Sequence, residues 1–441
     1  MGRFRLGVLT ALALTLAGRA GAAEITDVAS RTAGKPFDLR VTLRWDRLQE
    51  HAQITREVPL PVTPENPVGA ITNGDDLRYG RTVNTVVPRV AMGITEDLEV
   101  HFEWPYVLGD DRVWRYGSSP SSSPPTIDTN EINANGTYCT PDGTRPVTPC
   151  PLFPVAPETT VYHGGKAGDL KAGLAWGIFD DKLDPTKPFW LLGLDITFPT
   201  AARYDPVAGR DLSSTLWISP HSVPGSPAAV GEKVWRWDLY TVLSKRFGPI
   251  DPYVKAHVTL VTKSSSTYSN CEHAAELAGR PSGNGWLAEM NSNAVAGCAA
   301  EGRDADAKLP WIAGITFGTE LVPYENPSEQ QRVAVDFRVF ADYTSSQRFY
   351  NELTDANGKL NWTEDYLTMG GYLGVYLRAS QFVSLQGTAS LSTATPHWLT
   401  GEHGSPATNA NYDLRYDAPG RRFRISEVAN FGMSFAGVLT F

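Results

Sequence analysis

Arg236 and Asp238 stand two residues apart, and so do Asp336 and Arg338. In an extended chain that spacing puts both side chains on one face, where a guanidinium and a carboxylate can brace each other. The same period-two reading gathers other charges on that side. Arg40, Arg44, Lys171, Lys255 and Arg378 join the bases, and Glu99, Glu103, Asp195, Glu320 and Asp342 join the acids. His101 and His257 fall there too. Two kinds of chemistry suit such a set. It can line a polar passage and select solutes by field and hydrogen bonding, or its opposite charges can pair between strands and fill an interior.

Covalent chemistry finds less support. A nucleophilic hydrolase needs a nucleophile, a base within hydrogen-bond reach and a third group orienting the base. Of the eight histidines, His51, His163, His221, His273, His397 and His403 lie in expected loops or at their edges. No outward-facing Ser and His share a level on the strands, the serine runs at 118–123 and 264–266 read as loop, and a protease-like Asp–His pair among the loops stays open. No glycine-rich phosphate cradle is present, and Cys271 with His273 lacks zinc-ligand spacing. No enzyme, cofactor or metal site is therefore expected. A formal charge of -9 argues against a nucleic-acid partner.

The elements that must position these charges are strands. In 98–106, Leu98, Val100, Phe102, Trp104 and Tyr106 point one way, and Glu99, His101 and Glu103 the other. The last residues repeat the pattern, with Phe431, Met433, Phe435, Leu439 and Phe441 opposite Asn430, Ser434, Val438 and Thr440. Twelve segments alternate in this way: 37–46, 77–93, 98–106, 167–179, 189–200, 233–246, 252–263, 308–322, 331–343, 366–378, 382–394 and 424–441. One apolar and one polar face per strand means two different environments. The connections alternate between long and short, with Pro, Gly, Asn, Asp and Ser crowding them. That asymmetry, with an even strand count, marks outer-membrane barrels: brief periplasmic turns and longer external loops.

The remaining features agree. Residues 1–22 carry Arg3 and Arg5, an apolar run and a small-residue cleavage site, which together read as a secretory signal peptide. No later stretch reaches the roughly 18 apolar residues of a spanning helix, so only a closed barrel could cross a membrane. Rings fall at both expected interfaces. Trp45, Trp104, Tyr106, Trp235, Trp237, Trp311 and Tyr343 are expected at the external ends, and Trp176, Phe179, Phe189, Trp190, Phe247 and Phe441 at the periplasmic ends. The four cysteines allow three connectivities. Pairing within each long loop, Cys139 with Cys150 and Cys271 with Cys298, avoids linking separate loops, and an exported chain meets oxidising conditions.

One family resemblance adds to this. The run Val90-Ala91-Met92-Gly93-Ile94-Thr95-Glu96-Asp97-Leu98-Glu99-Val100, followed by Trp104-Pro105-Tyr106, resembles the second hairpin of a bacterial family named for the meta pathway of phenol degradation. That family is related to hydrophobic-compound channels of the long-chain fatty acid transporter type. Leu194-Asp195-Ile196-Thr197-Phe198-Pro199-Thr200 is similar to its strand ending in Pro-Thr-Gly, with Ala201 in place of the Gly. The resemblance covers about a quarter of the chain and carries over no ligand-binding residue. It implies an outer-membrane channel for small, often aromatic or apolar molecules. Two departures from the fatty acid transporters stand out: no amino-terminal plug segment is apparent, and twelve strands replace fourteen.

The expected fold is all-β: a single transmembrane antiparallel up-and-down barrel of about twelve strands over residues 37–441, preceded by a periplasmic segment at 23–36. A further hairpin at 51–58 would make fourteen. Loops 109–165 and 264–307 are expected to form a lid. The expected function is passive movement of a small solute through an integral outer-membrane monomer. Outer-membrane lipid surrounds it, and Phe441 serves as the signal to the barrel-assembly machinery. An adhesive surface anchor and a lipid-modifying enzyme are the alternatives.

Overall fold

The computed structural model describes residues 38–59, 71–117, 158–179, 186–206, 220–222, 225–272, 307–405, 409 and 411–441. The expected signal peptide at 1–22, the 23–36 segment and Phe37 lie outside them. The wall begins with a tall hairpin, β1 (Leu39–Pro59) and β2 (Ile71–Gly93), in register from Leu39 opposite Met92 to Pro59 opposite Ile71. The third wall strand is broken at Trp104-Pro105 into β3 (Leu98–Glu103) and β4 (Tyr106–Tyr116), both paired with β2. Proline has no N–H to give the ladder, and the β2–β4 register slips nearby, between Asn84 and Thr85. The fourth is also composite, with β5 (Thr160–His163) and β6 (Lys166–Ala167) on β4 and β7 (Lys171–Phe179) on β3.

The rest of the wall is regular. In order come β8 (Phe189–Thr197), β9 (Val234–Ser244), β10 (Ile250–Lys263), β11 (Trp311–Asn326) and β12 (Gln331–Thr344). After β12 the chain leaves the wall for a small hairpin, β13 (Gln347–Phe349) and β14 (Asn361–Thr363), around a one-turn helix, α1 (Thr354–Asn357). It returns as β15 (Tyr366–Arg378) and β16 (Val383–Ala394), then β17 (His397–Trp398), which pairs with the last strand β18 (Phe423–Thr440). β18 pairs with β16 on one side and β1 on the other, so the ladder closes as a twelve-strand antiparallel barrel. At the seam Leu39 and Phe441 exchange two backbone hydrogen bonds, of 2.8 and 3.2 Å.

The twelve expected strands are thus the observed ones. Residues 51–58 add no hairpin: they are the upper half of β1, continuous with 39–50. Residues 109–116, expected in a loop, extend the third strand as β4. The faces separate as the period predicts. Phe102, Leu174, Leu239, Phe317, Leu373 and Phe435 are exposed on the outer face, a surface hydrocarbon would solvate and water would not. Phe189 departs from its expected place in the outer belt. It is buried on the lumen side with Ala175, Leu191 and Val242, because it shares parity with Asp195. Trp45 also departs: β1 runs fourteen residues beyond it to Pro59, so it sits part-way up the outer face, stacked on Phe435 at 6.1 Å.

Two buried apolar clusters lie in the external half. Ala52, Ile54, Leu77, Tyr79 and Trp114 from the tall strands pack against Leu353, Ala356, Leu399 and Tyr416. Val234, Val261 and Tyr268 pack against Phe349 and Leu360. Burying each of the larger side chains is worth roughly 1.5–3 kcal/mol, so these contacts hold the segments 345–365 and 395–422 against the mouth.

Candidate functional site: the charged lumen and its lid

Every charged residue expected inside the barrel has lumen parity, and the wall strands set their partners. Asp336 and Arg338 on β12 do brace each other, and Asp336 also accepts the Tyr253 hydroxyl at 2.6 Å. Arg236 and Asp238 do not. Arg236 pairs with Glu232, four residues earlier in the chain, and Asp238 accepts the Thr259 hydroxyl from β10 at 2.8 Å. The cause is register: Asp238 lies directly opposite Thr259, so the cross-strand partner wins over the same-strand one. Arg44 Nε bonds Asp46 at 2.9 Å along β1. Arg332 meets Glu320, and His257 faces Asp342 at 3.8 Å. Arg40 and Arg378 occupy lumen parity near the periplasmic end of β1 and β15.

The densest group joins β2, β3, β7 and β8. His101 Nε2 lies 2.9 Å from Asp195 and its Nδ1 3.2 Å from Glu99. Asp195 also accepts from Lys171 at 2.6 Å, and Arg89 reaches Glu99 at 2.9 Å and Glu103 at 3.5 Å. The five expected residues are therefore brought together, with Arg89 as the member the sequence did not single out. Arg81 was missed in the same way and binds Asp110 with two hydrogen bonds of 2.7 and 2.9 Å. Both sit on β2, where Val83 and Val87 share the inner face and obscure the alternation.

Tyrosines form the second missed group. Tyr240, Tyr253, Tyr372 and Tyr376 all point inward, although aromatic residues in a barrel sequence read first as belts. Tyr240 lies over Gly193 and Tyr253 over Gly318, each so close that a β-carbon on the glycine would meet the ring. Glycine at those two positions lets a ring lie flat on the neighbouring strand. Lys255 Nζ sits 4.7 Å over the Tyr240 ring, and the Arg338 guanidinium 3.8 Å over Tyr372.

Around β16 and β18 the inner face is different. Ser384, Gln386, Thr388, Ser390 and Ser392 face Asn430, Gly432, Ser434 and Ala436, all small or neutral. Bulky charged and aromatic side chains thus fill one arc of the lumen and leave room along the other.

Above this the lid is anchored by Asp355 in α1. It accepts from Arg112 at 2.9 Å and from the Tyr204 hydroxyl, and lies 3.1 Å from His163 Nε2. Burial pushes its carboxyl up, but the charges of His163 and Arg112 outweigh that and hold it well below the usual range. Trp114 Nε1 donates to the Glu352 carbonyl at 2.9 Å, while burial raises the Glu352 carboxyl. A second knot closes 395–422. Asp417 accepts from the backbone of Gly401, Glu402 and Asp413, and Arg415 forks onto Asp413. The described lid therefore comes from the β12–β15 and β17–β18 connections. The segments 118–157 and 273–306 of the expected lid lie outside the described residues, as do Cys139, Cys150 and Cys298. Among the described residues no cysteine is free and no cluster of metal-ligating groups occurs.

A closed ladder, an apolar exterior and a charged interior leave one setting, since only lipid makes that exterior favourable. The chain is an integral outer-membrane barrel. The barrel is similar to solved outer-membrane proteins. These include an outer-membrane channel from Pseudomonas putida F1, at 9% identity over 92% of this chain and 96% of that one with TM-score 0.42. A FadL homologue from Pseudomonas aeruginosa matches at 8% identity over 93% and 92%, with TM-score 0.34. The TodX monoaromatic hydrocarbon channel, as a deltaS2 mutant, matches at 8% over 96% and 94%, with TM-score 0.34. No protein-family model matches the sequence, and no curated protein does.

Proposed function

We propose that the barrel is a narrow passive conduit for small solutes across the outer membrane. One observation carries this reading. Arg44, Arg89 and Lys171 face the lumen, yet each keeps about a third of its side-chain surface open to solvent. A packed interior would bury these groups, because an eight-strand barrel is filled by side chains while larger ones hold water. The small inner face of β16 and β18 supplies the room, and the lid narrows the external mouth. His163 has both ring nitrogens engaged, by Asp355 and by the Ala229 carbonyl at 3.3 Å, which supports a structural role for this His–Asp pair.

Reconstitution of the purified barrel into planar bilayers tests the proposal. Discrete conductance steps are expected, together with faster swelling of proteoliposomes in small solutes. A folded barrel that passes neither ions nor solutes, with the lid anchors intact and with them removed, would sink it.

A further inference from the structure

We infer that the solutes this conduit favours are small organic anions, an acidic group joined to a flat apolar body. The inference rests on the conduit reading above and adds the class of cargo. Its first support is an asymmetry in the lumen ion pairs. Arg89 keeps 34% of its side-chain surface against 3% for Glu99, and Lys171 keeps 31% against 9% for Asp195. Arg81 over Asp110 and Arg338 over Asp336 follow the same order. The carboxylates lie against the wall and the cationic ends face the water, so a passing solute meets the positive partner first. Walls of low dielectric focus that field into the passage.

The second support is Lys255. Among the described residues it forms no ion pair; its ammonium is held over the Tyr240 ring at 4.7 Å. An ammonium in that position gains from an arriving anion without first giving up a carboxylate. The accessible carboxylates on the other side include Asp46, bonded by Arg44, Asp342, which faces His257, Glu232, paired with Arg236, and Asp238, which accepts the Thr259 hydroxyl. The third support is that the cations ride on rings. Lys255 with Tyr240 and Arg338 with Tyr372 present π-faces beside positive charge. A flat apolar body can slide along those faces while its acidic group exchanges between cations; a bare inorganic ion makes no use of them. Elsewhere around the lumen Ser384, Thr388 and Ser390 offer neutral hydroxyls.

The test is ion selectivity of the reconstituted full barrel under a potassium chloride gradient, followed by addition of benzoate, benzylamine or benzyl alcohol. A reversal potential favouring chloride is expected, with benzoate permeating or blocking at lower concentration than the other two. Lys255→Glu should lower the anion-to-cation ratio several-fold. Lys255→Met, nearly isosteric, should lower it less while the barrel keeps its heat-modifiable folded mobility on gels. Conductance that is cation-selective, or that ignores both substitutions and treats the three aromatic probes alike, overturns the anion assignment while leaving a conduit. Absence of any conductance overturns both readings together.

Discussion

At the scale of single residues, two kinds of position set the lumen. Gly193 lies beneath the Tyr240 ring, so Gly193→Val should push the ring into the passage. Overpacking of that kind costs about 1–3 kcal/mol, and urea unfolding followed by gel mobility would register it along with reduced conductance. A stability loss with unchanged conductance would mean that Tyr240 does not border the path. The second kind is the buried acid of the lid. Burial raises Asp413, but Arg415 more than offsets it and brings the carboxyl down to about 2 from an ordinary value near 3.8. Its folded pKa lies below the unfolded one, so its contribution of roughly 2 kcal/mol is complete above about pH 4 and fades as pH falls toward 2. Acid sensitivity of the lid between pH 4 and 2, followed by protease accessibility of 395–422, should flatten in Asp413→Asn.

At the scale of elements, the charged anchor of α1 at the mouth is Asp355, beside the apolar packing of Leu353 and Ala356. Asp355→Ala would leave the buried His163 Nε2 without its partner and take one of two carboxylates from Arg112, which keeps Asp110. Breaking a buried pair costs about 3–5 kcal/mol, enough to release a one-turn helix, and single-channel conductance should rise. Unchanged conductance in a folded variant would show that the lid does not narrow the path. The loop cysteines give a second element-scale expectation: peptide mapping without reduction should join Cys139 to Cys150 and Cys271 to Cys298. Bridges between the two loops would remove the idea of separately stiffened lids. The strands themselves were readable in the sequence. Residues 366–378 and 331–343 are found almost to the residue, because period two is a local signal. The lid was not readable. Asp355, Arg112, His163 and Tyr204 come from four distant segments, and nothing local in any of them announces the others. Asp238 shows the same limit at closer range: parity gave its face, while its partner Thr259 depended on register.

At the scale of the whole molecule, the barrel sorts residues by which solvent they meet. Leu373 points to lipid and Ser390 to the lumen on adjacent strands. Arginine at Leu373 should cost about 2–4 kcal/mol if it lies near the bilayer midplane, whereas Ser390→Arg should leave stability close to wild type and narrow the passage. Equal losses in unfolding experiments would contradict the assigned faces. The fold class, strand number and inward charges followed from alternation and closure. The division of the lumen into a ring-and-cation arc and a neutral arc did not, since it depends on which strands are neighbours around the circle.

The β1–β18 seam has a consequence for how the molecule comes into being. Arg40 bonds opposite Thr440, so the closing contact joins residues separated by almost the entire chain. Contacts of such long sequence separation are slow to form. Every hairpin from β2 to β16 can zip up from its own turn, but the cylinder stays open until the last residues arrive. Until then both β1 and β18 present bare edges. A circularly permuted chain, with its original ends tied and new ends cut in the 379–382 turn, would move the late step to the β15–β16 pair. The assembly rate of that permutant, set beside the native one, would report how much of the delay belongs to topology and how much to Phe441 itself.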